Sequence, residues 1–191
     1  MPASETYSAI LDTARRLFVK QGYTATSMRQ LAAEAGIGKA TIYHHFPDKE
    51  ALVLALLQSD IASTEQTLQL VREEIDPRER IRVAAKASMD FLTESASIIQ
   101  IVRREVPRGR DQMQAGFNLF FVEFMDLLAE GIQRGIAQGI FRSVDARESA
   151  RILMTMLQGN FAMAYLGGVR PVSSQQAVDS LLDIFFHGIH A

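Results

Sequence analysis

Residues 26–46 read TSMRQLAAEAGIGKATIYHHF, two short helical segments on either side of an Ala-Gly-Ile corner. Helices of this length are marginal in water, because the first turn fixes several dihedral angles for a single hydrogen bond. The pair must therefore be held by neighbours and must present something outward. Ser27 stands where a cap accepts an amide of the first turn, and Gln30 sits where a capping box closes. Leu31 faces inward, and Ala32 is small enough to admit a second helix closely. Gly36 supplies a left-handed corner that a side chain would resist, with Ile37 plugging the angle. Gly38 then opens a second helix whose inward residues are Ala40 or Thr41, Ile42 and Phe46, which leaves Lys39, Ala40, Tyr43 and His44 near the exposed side of its start. These are the requirements of a helix-turn-helix. Such a helix fits the DNA major groove, about 12 Å wide. Lys39 can meet a base edge or a phosphate, Thr41 and Tyr43 can donate to phosphate, and Lys49 adds charge at the next helix start.

Working outward, the run GYTATSMRQLAAEAGIGKATIYHHFPDKEAL (22–52) resembles the DNA-binding segment of the TetR family of transcriptional regulators. Gly22, Tyr23, Thr26, Ser27, Leu31, Ala32, Ala35, Gly36, Gly38, Tyr43, Phe46, Lys49 and Leu52 carry the likeness. The resemblance implies DNA contacts at Thr26, Ser27 and Arg29 on the supporting helix. On the recognition helix it implies contacts at Gly38, Lys39, Ala40, Thr41, Tyr43 and His44, with Lys49 following. Gly38 stands where many members have Ser, so one hydroxyl contact is missing. That departure alters the expected sequence preference and leaves the docking mode alone.

Helical punctuation continues along the chain and makes the expected fold all-α. Tyr7, Ile10, Leu11, Ala14, Leu17 and Phe18 follow the rhythm of one apolar helix face, and Gly22 stands where that helix would stop. Three further capping-box patterns are Asp76 with Glu79, strengthened by Pro77 at the first helical position, Asp145 with Glu148, and Ser173 with Gln176. No Pro or Gly interrupts the stretch between Asp48 and Glu74, which allows one helix of roughly 40 Å. About nine helices are expected, with breaks near Gly22, Gly36, Pro47, Asp76, Ser95, Pro107, Gly139 and residues 167–171. The expected division is a DNA-binding domain over 1–47 and a ligand-binding and dimerisation domain over 48–191.

Charge narrows the partners. The chain has a net charge of −2 and a pI near 6.1, which argues against a protein that coats nucleic acid over its whole surface. Residues 1–50 carry Arg15, Arg16, Lys20, Arg29, Lys39 and Lys49 against Glu5, Asp12, Glu34, Asp48 and Glu50, so the slight basic excess lies in the helix-turn-helix end. There is no cysteine, which removes disulfides, thiolate metal sites and a cysteine nucleophile. Nucleophile elbows, glycine-rich phosphate loops and metal-ligand spacings are absent, so neither an enzyme nor a cofactor is expected. Without a signal peptide or an apolar run of the roughly 18 residues needed to span a bilayer, the expected location is the cytoplasm, with no membrane partner.

The C-terminal part has other work. Residues 152–166, ILMTMLQGNFAMAYL, are apolar almost all round, and 178–189 add Leu181, Leu182, Ile184, Phe185, Phe186 and Ile189. A helix without a polar face has to be covered on every side. Pairing with a second copy would cover it, and the resemblance places dimerisation here, at Leu153, Leu157, Phe161, Leu181, Leu182, Phe185 and Ile189. A homodimer would also set two recognition helices about 34 Å apart, matching successive major grooves of a palindromic operator.

The middle of the chain is rich in Met and Phe, and flexible or aromatic walls with a few polar groups suit small-molecule pockets. By resemblance this region and the eighth helix enclose an effector, at Met89, Phe91, Gln100, Phe117, Phe120, Phe121, Phe124, Met154 and Gln158. The same spacing also suits plain core. The run Arg103, Arg104, Glu105 is expected to be a solvated helix end; Gly131, Gly135 and Gly139 suit close packing or a helix end; His187 and His190 suit a solvated terminus. The function expected is a homodimeric repressor released by a small, largely apolar ligand, the alternatives being an activator of the same fold and a non-catalytic helical interaction protein.

Overall fold

The computed structural model describes residues 3–73, 76–106, 109–165 and 173–189, without the side chains of residues 3, 65–67, 70, 73, 109–120 and 189. The fold is all-helical. Among the described residues it has nine helices: α1 (Ala3–Gln21), α2 (Met28–Glu34), α3 (Lys39–His45), α4 (Lys49–Glu73), α5 (Pro77–Glu94), α6 (Ala96–Glu105), α7 (Gly109–Ala137), α8 (Ala146–Tyr165) and α9 (Ser174–Ile189). The breaks expected at Gly22, Gly36, Pro47, Asp76, Ser95 and Gly139 all fall between helices; Pro107 and residues 167–171 lie outside the described residues. Backbone contacts divide the chain into two compact units, residues 1–60 with 95–116, and residues 61–94 with 117–191.

In the first unit, α1 buries Ile10, Ala14, Leu17 and Phe18, the stripe its spacing predicts. Tyr7 belongs to the same pattern yet stays 39% exposed, its ring 5.1 Å from Phe46 and 6.2 Å from His45. A phenol has an apolar body and a polar tip, so a ring that packs on neighbours can remain partly exposed. Leu31 and Ala32 of α2, Phe46 after α3, and Leu52, Val53 and Leu56 of α4 are buried in this unit as well, with Ile98, Ile99 and Val102 of α6. Ile42 is the buried residue of the seven-residue α3, so that helix depends on its neighbours for its existence.

Helix starts follow the capping chemistry read from the sequence, with one systematic difference. Ser27, Asp76, Asp145 and Ser173 each accept an amide of the first turn, at 3.1, 2.8, 2.8 and 3.2 Å. The Ser173 box closes reciprocally, Gln176 Oε1 accepting from the Ser173 amide at 3.4 Å. Elsewhere the third residue prefers a side-chain partner: Gln30 pairs with Gln21, Glu79 with Arg82, and Glu148 with Arg151. A charged or amide partner within reach outcompetes a single backbone amide. Asp48 caps α4 in the same way, accepting from the Ala51 amide at 2.7 Å.

In the second unit α5 packs against α8 and α9, which pack on each other. Ser88, fully buried on α5, donates to Met154 Sδ on α8 at 3.8 Å. Gly135 is required by close approach, since a Cβ there would lie 2.1 Å from the Phe141 ring. Gly131 stands against Ile81 and Gly139 has φ of 71° past the end of α7, so this glycine series serves packing and a helix end. Arg80 is a feature the sequence reading passes over. Its side chain is 1% exposed, donating to the Arg72 carbonyl at 2.9 Å and to Glu130 at 2.6 Å. Burial, with Arg134 and Arg72 nearby, lowers its pKa from the usual guanidinium value.

Candidate nucleic-acid interface

The α2–α3 pair is assembled from few anchors. Ser27, in extended backbone at φ −106°, caps α2 through the Gln30 amide. Gly36 closes the corner at φ 67°, a conformation that costs a residue with a Cβ roughly 1–2 kcal/mol. The Gly36 and Ile37 amides bond Ala33 O and Ala32 O at 3.2 and 3.0 Å, which ties the corner back onto α2.

Ile42 and Phe46 turn inward, and Thr41 and His45 of α3 are half-buried. Lys39, Ala40, Tyr43 and His44 are exposed, Tyr43 to 44%, with the Lys39 ammonium 5.9 Å from the centre of the Tyr43 ring. Ser27, the cap of α2, and Arg29 on α2 are exposed as well. The alternative between Ala40 and Thr41 is decided by the fold: Thr41 is half-buried and Ala40 exposed. Gly38, at φ −70°, makes no side-chain cap, and a Cβ would meet only Thr41 Oγ1 at 3.7 Å. The position therefore admits a serine sterically, and its glycine changes chemistry without altering the backbone.

Two of the expected DNA contacts, Thr26 and Lys49, have polar groups bonded within the fold. Thr26 is 1% exposed, and its hydroxyl donates to Gly22 O at 2.8 Å while accepting from Gln21 Nε2 at 3.1 Å. Its hydroxyl is spent in the α1–α2 turn. Lys49 is half-buried, its Nζ donating to Tyr23 O at 2.6 Å and Thr26 O at 2.7 Å beneath the Tyr23 ring. Desolvation lowers the pKa of this ammonium, with Glu105 acting in the opposite direction.

The expected effector residues fall into three groups. Met89 and Phe91 of α5, Phe124 of α7 and Met154 of α8 are buried in the second unit, with Phe121 and Gln158 half-buried there. Gln100 belongs to the first unit, where with Phe18, Val19, Tyr23, Ile101 and Arg104 it borders a cleft of about 200 Å³. The side chains of Phe117 and Phe120 lie outside the described ones. Two clefts of the second unit, about 560 and 270 Å³, are lined instead by polar residues including Asp126, Glu130 and Arg147, and Arg72 and Glu123.

The expected dimer residues differ in burial within the single chain. Leu153, Leu157 and Phe161 of α8 and Leu182 and Phe185 of α9 are buried within one chain; Leu181 is half-buried, and the Ile189 side chain lies outside the described ones. The physical reason is that both helices have two apolar faces, and the richer one goes to the chain's own core. The sequence reading misses the exposed set, Ile152 at 45%, Met163 at 60% and Ile184 at 64%. Its signal was the offset of Ile152 by one position from the Leu153–Leu157–Phe161 stripe.

His187 is exposed, with Nδ1 2.7 Å from Asp183 O, and His190 lies outside the described residues. Among the described residues no group of three or more His, Asp or Glu could hold a metal ion, and no described helix is long and apolar enough to cross a membrane.

An all-helical chain with an N-terminal helix-turn-helix, its recognition helix bared at the start, defines a DNA-binding regulator with an appended helical domain. Comparison with known proteins agrees. The profile of bacterial regulatory proteins of the tetR family matches residues 10–56, and that of the tetracyclin repressor-like C-terminal domain matches residues 74–161. The chain belongs to the TetR family of transcriptional regulators, whose members are regulators and not enzymes. It is 26% identical over 190 residues to the HTH-type transcriptional activator FasR of Mycolicibacterium smegmatis, covering 99% of this chain and 85% of that one. A transcriptional regulator from Saccharomonospora viridis, solved in complex with choline, superposes with a TM-score of 0.81 at 27% identity, over 98% of this chain and 99% of that one. AibR, solved with isovaleryl coenzyme A and operator DNA, gives 0.65 at 26% identity over 95% and 98%.

Proposed function

We propose that this TetR-family regulator is a homodimeric repressor that a small, largely apolar ligand releases from a palindromic operator. The observation that carries the DNA side is the exposure of Lys39, Ala40, Tyr43 and His44 on a helix anchored by Ile42. Ser27, Arg29, Gly38 and the half-buried Thr41 complete the contact set, and residues 1–47 act as the DNA-binding domain. Residues 48–191 bind effector and partner. The choline and isovaleryl coenzyme A complexes of the two relatives support an organic effector, which in this chain falls to Met89, Phe91, Phe121, Phe124, Met154 and Gln158. The second copy covers the outer faces of α8 and α9 at Ile152, Met163 and Ile184, where exposed Gly159 and Gly188 let helices approach closely.

Repression weakens by linkage. A ligand that binds better to a conformation unable to bind DNA lowers DNA affinity by the factor by which DNA lowers ligand affinity, and a coupling of about 3 kcal/mol is worth roughly 150-fold. Fluorescence anisotropy with a duplex enriched by the protein from a random-sequence pool tests the DNA side. Binding is expected to weaken steeply with salt; affinity indifferent to salt would overturn the phosphate contacts. The second reading, an activator, is favoured by the FasR likeness over nearly the whole chain. Transcription from a promoter carrying the enriched duplex separates the two: the repressor lowers the basal rate and the activator raises it.

A further inference from the structure

Helix α3 ends in two adjacent histidines, His44 and His45, at the two positions that the family motif leaves open between Tyr43 and Phe46. Their surroundings differ. His44 is exposed, as are Lys39, Ala40 and Tyr43, while His45 is half-buried, its ring 6.2 Å from Tyr7 of α1 and 6.4 Å from Phe46. The two imidazole centres lie 5.6 Å apart, edge to face. Imidazole is the side chain whose charge changes between pH 5 and 8. The chain has four histidines and no cysteine, so a proton exchanged near neutrality has few sources, and half of the imidazoles stand at this helix end.

Around the pair, α3 itself carries Lys39 and Tyr43, and α1 brings Tyr7, with Glu5 two residues before it. Helix α2, packed on α3, carries Arg29 and Glu34, the latter paired with Arg16. Beyond Phe46 come Asp48, which accepts from the Ala51 amide, then Lys49 and Glu50. All of these groups are present with and without DNA. What changes on binding is the phosphate charge, and an anion brought against an imidazole favours its charged form. Two imidazolium charges 5.6 Å apart would oppose each other, which disfavours a second proton once the first is held. We propose that DNA binding by this chain is coupled to protonation, each protomer taking up a proton at the His44–His45 pair, carried by His44. The proposal rests on α2–α3 being the DNA-contacting pair. Because the bound state then holds more protons than the free one, affinity rises as pH falls and declines as pH rises.

Calorimetry of the full-length protein with the enriched duplex, repeated near neutral pH in buffers of different ionisation enthalpy, counts the protons directly. The wild type is expected to take up about 0.5–1 proton per protomer, so that affinity falls roughly three- to tenfold per protomer for each unit of rising pH. His44→Gln is expected to bring the uptake below about 0.2, whereas His45→Gln, which keeps His44, and His187→Gln on α9 are expected to retain it. Salt supplies a second readout. A positive charge gained against phosphate adds about 0.9 to the slope of log K against log salt, so the wild-type slope is expected to steepen towards that increment per protomer on acidification and the His44→Gln slope to stay constant.

Proton uptake that survives His44→Gln overturns the proposal. The wild-type count is independent of any variant's folding: salt-dependent binding of the enriched duplex with no proton taken up overturns the linkage alone. Failure of the wild type to enrich any duplex overturns the interface reading and this proposal with it.

Discussion

The α2–α3 pair and the α8–α9 pair are each two consecutive helices, and they hide and show their residues by different rules. In α3 a single residue, Ile42, is buried within the helix while charged and polar side chains stand outside. In α8 the buried residues Leu153, Met154, Leu157 and Phe161 are as apolar as the exposed Ile152 and Met163. Where one face is polar, water sorts the residues, and the polarity pattern reads the outer face directly. Where both faces are apolar, water excludes both, and geometry alone decides which is core and which is left for another surface.

The largest test of that contrast is Leu157→Ala, which removes a fully buried side chain and is expected to lower the unfolding free energy by about 2–5 kcal/mol in urea titrations. A cost under about 1 kcal/mol would place Leu157 on a surface instead of in the core. Next comes Met163→Asp combined with Ile184→Asp. Buried against a second copy, the new charges would split the dimer, halving the mass in sedimentation while the helical circular dichroism stays unchanged; DNA affinity is expected to fall by about a hundredfold, as half-sites lose their linkage. A dimer that survives both changes is held elsewhere.

Smaller effects sharpen the DNA side. Lys39→Ala is expected to weaken binding about tenfold for all sequences if the lysine meets phosphate, and to relax one base position if it meets a base edge. A binding-site selection repeated with the variant separates these. Ser27→Ala removes the α2 cap and is expected to cost about 1 kcal/mol of stability. Gln30→Ala is expected to cost less than that, about 0.5 kcal/mol, because Gln30 bonds Gln21 on the surface and leaves the capping box open. Thermal melts of the two variants side by side would show the reverse order if the box closed in solution.

Lys39 and Lys49 make the same point within the DNA-binding unit. Both are lysines at the first position of a helix, and the sequence motif treats both as charges for DNA. Only the chain's path shows that Lys49 meets two carbonyls of a turn more than twenty residues earlier, and that Thr26 spends its hydroxyl on Gly22. Helix starts were legible because a cap bonds an amide three residues away, a local event. The partner of Gln30 was not, because Gln21 reaches it across the turn.

By itself, then, the amino-acid sequence determined the helical class, the breaks, the caps, the Gly36 corner and the outward residues of α3, all of which depend on residues within one or two turns of each other. The family follows from the same local pattern. Tertiary structure alone decided that Arg80 is buried between Arg72 O and Glu130, that the α8 stripe through Leu157 turns inward, and that Lys49 is held by the Tyr23–Thr26 turn. Those outcomes depend on which surfaces meet across long sequence separations, and periodicity along a single helix contains no information about the partner on the other side.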